Sequence, residues 1–442
     1  MKHLKKLSPL FIAVALSSTA AATMNISASE LPPGGVSVEQ APQFIAIAFD
    51  DNESPAGQQW VLDLFASVTN PQGTGNLDNY DGQMPHTTFF NSCQYIKSSF
   101  WNAGNVKNTW RAAFEQGHEV ANHTTDHLWG GAWMDVATWT SQIQDCNDQL
   151  AKPYNPDANP WSASDDDGIG VAGVGFRTPY LDYNPALYSA LTNMGMRYDA
   201  TIAEGWHWTE DGTNYNWPYT LDNGSPGAKL RAEWGLNEDI GEHPGLWQVP
   251  VYAMIVPNDE QALAYGISHS IREKIATAIP WFDVSVGKFE SADYNLFYQA
   301  GLTGAEVLAI MKHTLDLRLA GNRAPFTFLA HSAYYDAGID SWNPVATSFE
   351  ERRAVLAEFI EYALTHDAVR LVSHNELLDW MESPQALDAE HCYRPAWQTN
   401  KAYTVGDQMI HAGALYEATY WSFNTPPTDD KWGPWFKVMD CQ

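Results

Sequence analysis

Apolar positions fall into short runs closed by polar residues, and these alternate with stretches of helical spacing. Phe44 to Phe49 reads as a strand ending in Asp50 and Asp51, and Thr87 to Phe90 as a second strand. Between them, Glu53 to Val68 has the spacing of a helix. A helix-like stretch follows Cys93, runs to Gln116 and is ended by Gly117. His118 to Asn122 is a strand, Ala137 to Leu150 a helix, and Val174 to Phe176 a strand closed by Arg177-Thr178-Pro179-Tyr180. Pro185 to Met194 is helical with Gly195 as its cap, and Met196 to Ile202 is extended. Phe326 to Ala330 is a strand ending in His331, followed by a helix from Phe349 to Leu364 and a last strand from Val369 to Val372. This alternation predicts crossover units on a parallel sheet, an α/β fold. Asp50, Asp51, His123, Arg177 and His331 all follow C-terminal strand ends, the rim on which parallel barrels assemble their sites.

Two stretches break the rhythm. Pro153 to Gly170 and Glu204 to Leu246 are rich in Gly, Asn, Asp, Pro and Trp, and they read as long loops on the barrel. Such loops would narrow an open groove into a pocket that selects short ligands. Asp165, Asp166 and Asp167 form an acidic run, which reads as a solvated loop ahead of a calcium site. From Cys392 onward, about fifty residues dense in aromatics predict a small β domain with a thin core. The N-terminus has the form of a secretory signal: Lys2, Lys5 and Lys6, an apolar run from Leu10 to Leu16, then Ala20 to Ala22. The run is too short to span a bilayer. The expected division is a signal peptide over 1–22, a large body over 30–385 and a tail over 390–442.

Composition narrows the partners. Of 442 residues, 53 are Asp or Glu and 24 Lys or Arg, a net charge of −29. That excludes a basic stripe for nucleic acid and opposes docking on anionic lipid. The 19 Trp and 20 Tyr suit the flat apolar faces of sugars. Four cysteines fit an oxidising compartment. Three pairings are open to them; the layout along the chain favours Cys93 with Cys146 and Cys392 with Cys441. The default assembly is a monomer.

The chemistry lies in four segments. His123 and His127 stand at i and i+4, which would place both on one face of a helical turn. With Asp51 they make a two-His, one-carboxylate set of the kind that holds a catalytic zinc. Neighbouring strand residues point opposite ways, so Asp50 and Asp51 can share a site only where the strand gives way to loop. The ordered set Phe49-Asp50-Asp51, His123 to His127, Arg177 to Tyr180 and Leu329-Ala330-His331 resembles carbohydrate esterase family 4, the polysaccharide deacetylases with the NodB homology domain. Within it, the long loops and Ala330 to Tyr335 look most like the secreted chitin oligosaccharide deacetylases of marine bacteria. The tail, through Trp397, Tyr403, Asp407, Tyr416, Tyr420 and Trp421, resembles a family 5/12 chitin-binding module.

The resemblance implies a distorted (β/α) barrel with inserted loops plus a small all-β module. It implies a secreted, metal-dependent N-deacetylase acting on chitin oligosaccharides, with zinc or another divalent ion held by Asp51, His123 and His127. Asp50 would be the general base, Arg177 its partner, Tyr180 a backbone donor to the oxyanion and His331 the acid. The family's orienting Asp and Trp pair has no plain counterpart here; Asp199 and Trp247 are the candidates, Trp247 as an aromatic wall for substrate. Tyr420 and Trp421 would stack on chitin. Peptidoglycan and acetylxylan deacetylases share the motif set and are the alternative. A non-catalytic chitin adhesin is disfavoured, because Asp50, Asp51, His123, His127 and His331 are all retained.

Overall fold

The structure, a computed structural model, describes residues 25–161, 163–339, 347–388, 396–428, 430 and 432–440. The 1–22 segment and the Cys392–Cys441 pair lie outside these residues. The fold is built on β1 (Gln43–Asp51), whose first eight residues are buried. Its side chains alternate between two cores. Ile45, Ile47 and Phe49 pack in one with Leu62, Phe65, Ile310 and Phe359. Phe44 and Ala48 pack in the other with Phe90, Tyr198, Trp217 and Trp380. Burial on both faces explains why the strand reads as an unbroken apolar run.

Parallel neighbours flank β1: β12 (Phe326–His331) along one side, and on the other β13 (Val369–Leu371) at its start and β2 (Thr88–Asn91) at its end. From β2 the sheet continues in parallel through β3 (Glu119–Asn122), β4 (Gly175–Phe176), β5 (Tyr198–Asp199) and β8 (His243–Gln248), and β7 (Tyr219–Leu221) closes the edge antiparallel to β8. Outside this sheet, β6 (Ala203–Glu204) pairs in parallel with β9 (Val251–Tyr252), and β10 (Met254–Ile255) antiparallel with β11 (Lys288–Phe289). The sheet curls until the segment after β8 meets β12, where the Thr327 hydroxyl donates to the Pro250 carbonyl and accepts from Tyr252 N–H. The result is the distorted α/β barrel expected. Helices α1 (Pro55–Ala66), α2 (Ala103–Glu115), α3 (Val136–Ala151) and α4 (Pro185–Met194) lie near their anticipated ranges. Ser54, Asp135 and Asn184 cap three of them by accepting a first-turn backbone N–H.

The insertion after Glu204 differs from the expected overhanging loop. It carries β7 and helix α5 (Pro226–Glu233), and it extends the main sheet. Trp217, Tyr219 and Leu221 are the reason: all three are buried, and they draw the segment into the sheet. The acidic run at 165–167 is tied by lysine. Lys107 donates to the carbonyls of Ser164 and Asp167, and Lys152 to that of Asp165.

The tail forms two small antiparallel sheets around Tyr403, Met409, Tyr416 and Trp435. Tyr420 and Trp421 are exposed on it. Cys93 and Cys146 are disulfide-bonded, as the chain layout favoured. The bond ties α3 to the turn after β2, where Cys93 N–H also donates to the Thr124 carbonyl. Replacing both cysteines by alanine is expected to cost about 2–4 kcal/mol of stability. Urea unfolding under oxidising conditions measures this; an unchanged midpoint would show that the staple is dispensable.

Candidate active site

At the C-terminal end of β1 the chain turns sharply. Asp51 and Asn52 have φ of 67° and 64°, in the left-handed region. This breaks the strand alternation, so both Asp50 and Asp51 line one cavity. Asn52 holds the turn: its buried side-chain amide donates to the carbonyls of Phe49 and Phe90 and to Asn91, and Trp110 Nε1 donates to its carbonyl. Asparagine tolerates this backbone region better than most residues.

His123 and His127 reach the same cavity by a different route from the helical turn expected. The segment after β3 is an irregular turn, with positive φ at Thr124 and His127. Asn122 accepts from Thr124 N–H and Thr124 from His127 N–H; these local bonds replace the helical ladder. The two rings still come within 5.1 Å.

Asp51 Oδ1 lies 3.3 Å from His127 Nε2 and 4.0 Å from His123 Nε2. This buried oxygen has no hydrogen-bond partner among the described residues. His123 Nδ1 donates to the Arg177 carbonyl at 2.9 Å, which leaves the Nε2 lone pair facing Asp51. Burial holds His123 well below the usual imidazole range and also lowers His127, so both rings are neutral near neutral pH. Burial pushes the Asp51 carboxyl up to about 6, against the pull of His331 and with the repulsion of Asp50. Neutral imidazoles and an unsatisfied carboxylate, with ligand atoms all within 4.8 Å, fit a divalent cation.

Arg177 Nη1 donates to Asp50 Oδ1 at 2.8 Å, and Arg177 Nε to the Ala200 carbonyl. Both side chains of this ion pair are almost wholly buried. Asp50 Oδ2 remains directed toward the imidazoles, 4.0 Å from His123 Nε2. Tyr180 sits in a left-handed turn at φ 60° and also lines the cavity. Its exposed ring lies against His127, with ring centres 4.8 Å apart.

His331 ends β12 beside Asp50, in register with it. Its Nδ1 pairs with Asp293 at 2.8 Å, and its backbone N–H donates to the other Asp293 oxygen. Burial disfavours charge on this ring, but Asp293, Asp51 and Asp50 override it and raise the pKa to about 10. His331 therefore carries a proton at neutral pH.

The carboxylate that meets His331 is Asp293, and not the Asp199 expected. Asp199 is fully buried behind the cavity and is occupied by Thr201 and Tyr188. Trp247 is likewise corrected. It is 3% exposed, paired through β8 to β5 and packed in the barrel core. The tryptophan on the cavity wall is Trp206. The sequence signal for Asp293 is an acid followed by the aromatic Tyr294, ahead of the strand that ends in His331. The expectation placed the pair too early because the insertion after Glu204 separates it from the Arg177 segment. Glu53, also on the wall, was not anticipated; burial and the nearby Asp51 push its carboxyl up to about 7.

The polysaccharide deacetylase family model matches residues 37–198. A chitin deacetylase of Bombyx mori is 21% identical over 367 residues, covering 80% of this chain and 74% of that protein. The solved peptidoglycan deacetylase of Bacillus subtilis is 14% identical, covers 78% of this chain and 94% of its own, and superposes with a TM-score of 0.37. A solved chitin-binding domain is 34% identical over 11% of this chain and 67% of its own, with a TM-score of 0.11. The stretch matched by the family model, residues 37–198, carries Asp50, Asp51, His123, His127, Arg177 and Tyr180.

Proposed function

We propose that the protein is a secreted, metal-dependent N-deacetylase that releases acetate from N-acetylglucosamine units of chitin oligosaccharides. The observation that carries this reading is the convergence of Asp50, Asp51, His123, His127, Tyr180 and His331 on one cavity of about 690 Å³. Asp51, His123 and His127 would hold a divalent ion, zinc by their donor set. A bound zinc ion polarises a carbonyl and lowers the pKa of water. Asp50, held by Arg177, takes a proton from the attacking water. The Tyr180 backbone N–H stands for the developing oxyanion, a contact that can contribute about 3 kcal/mol. His331 gives its proton to the departing amine, and Asp293 keeps the ring oriented with Nε2 toward the substrate.

Domain roles follow. Residues 1–22 direct export, 30–385 carry the reaction, and 390–442 lodge the enzyme on chitin as a monomer's anchor. The exposed rings of Tyr420 and Trp421 support that last role.

Acetate release from soluble N-acetylglucosamine oligomers of two to six units, beside peptidoglycan and acetylxylan, tests the substrate. The expected result is release from short chitin oligomers that stops with a chelator. Release from peptidoglycan or acetylxylan alone would contradict it. Asp50→Asn is expected to lower kcat by at least about 10³-fold. Asp293→Asn removes the charge that holds the His331 proton. The His331 pKa must then fall, and the basic limb of the kcat/KM profile must move to lower pH. An unmoved limb would remove His331 as the acid. Deleting the residues after Glu390 is expected to weaken binding to insoluble chitin and spare turnover of soluble oligomers.

A further inference from the structure

Two tryptophans that the catalytic reading leaves unused stand open to solvent. Trp101 lies just ahead of α2 and is 67% exposed, and Trp161 lies in the 153–170 loop and is 62% exposed. Their ring planes are within 18° of each other and their centres 5.9 Å apart, an offset and nearly parallel pair. Neither lines the cavity of the candidate site or the neighbouring cavity of about 220 Å³.

The pair rests on an anchored frame. Gly104 lets the loop come close to α2: a Cβ there would lie 2.5 Å from the Pro160 Cα. Asn105 N–H, in the first turn of α2, donates to the Pro160 carbonyl. Ser98 gives both its N–H and its hydroxyl to the Asp165 carboxylate. Lys107 and Lys152 donate to carbonyls of the same loop. Two large apolar rings held side by side in water by so many ties mark a surface that meets a partner.

The shape and charge of this surface select the partner. Flat, solvent-facing indoles suit the apolar faces of sugars. The charges exposed on the loop are those of Asp157, Asp165 and Asp166, since Lys107 is buried and Lys152 is turned onto a carbonyl. With a net charge of −29 on the whole chain, a second copy or an anionic polymer is repelled. A polymer of flat sugars bearing scattered ammonium groups suits both the rings and the carboxylates. Loss of acetate from chitin makes such a polymer, because each acetamide cut leaves an amine that is cationic in mildly acidic water. We infer that Trp101 and Trp161, flanked by Asp157, Asp165 and Asp166, form a docking platform for partly deacetylated chitin, outside the catalytic cavity and separate from the tail. The choice of polymer rests on the deacetylase reading.

The test is depletion of the full-length protein from mildly acidic, low-salt solution by particles of partly deacetylated chitin. All variants carry Tyr420→Ala and Trp421→Ala, which silence the tail's rings. Adding Trp101→Ala with Trp161→Ala is expected to raise the apparent Kd about tenfold, the scale of two lost ring contacts. Trp101→Tyr with Trp161→Tyr keeps a flat ring at each position and is expected to stay within about twofold of the parent. Asp157→Asn with Asp166→Asn is expected to raise Kd about threefold on the partly deacetylated particles and to leave it unchanged on fully acetylated ones. An unchanged Kd in the alanine pair overturns the platform, as does an equal loss in the tyrosine pair. An aspartate pair that acts alike on both kinds of particle overturns the cationic polymer as the partner. A dimer in sedimentation that the alanine pair dissolves would give the surface to a second copy and overturn the assignment. Acetate release from soluble oligomers by the wild type tests the deacetylase reading separately. Ring-dependent binding without release removes that reading and leaves the platform, whereas release with unchanged binding removes the platform alone.

Discussion

Arg177 carries a guanidinium buried to 1% exposure, and a charge so placed must be answered on every side. Asp50 answers it with one oxygen and keeps the other directed at the imidazoles. The Ala200 carbonyl takes Nε, and the Phe90 ring lies 4.2 Å beneath the guanidinium carbon. The backbone of the same residue accepts from His123 and donates to Asn122. Groups from β1, β2, β3 and the end of β5 thus converge on Arg177. Removing it would leave Asp50 buried and unpaired, a loss of about 3–5 kcal/mol. Asp50 and His123 would lose their shared support together.

Around that pair the site departs from regular backbone. Asp51, Asn52, Thr124, His127, Tyr180 and Leu181 all have positive φ. Such conformations cost free energy, and they persist where surrounding contacts over-determine them. Here those contacts are the Asn52 amide, the Asn122 and Thr124 side chains and the Cys93–Cys146 tie. Burial then sets the electrostatics. It keeps the two histidines neutral, while Asp293 keeps His331 charged. Imidazoles in one cavity are thereby held in different charge states by their neighbours.

The order of strands and helices in the body was legible because β1 and its neighbours are continuous apolar runs ended by polar residues. The grouping of Asp51 with His123 and His127 was legible because their segments follow strand ends. Two features were not. The insertion's share of the sheet depends on long-range burial of Trp217 and Tyr219, which local pattern does not reveal. Asp293 lies 38 residues before His331 and meets it only through the fold. Trp247 misled for a related reason: an aromatic after an insertion fits a groove wall as well as a core, and only its pairing with Tyr198 on β5 decides between them.

β1, the turn after β3 and the buried Arg177 pair bring Asp51, His123 and His127 together as the proposed metal site. Metal stoichiometry tests it most directly. Protein stripped of metal would be titrated with zinc by calorimetry, alongside Asp51→Ala and His123→Ala variants. One tight zinc ion per wild-type chain is expected, with affinity lowered by orders of magnitude in both variants. A wild type that binds no zinc, or variants that bind it as tightly, would contradict it.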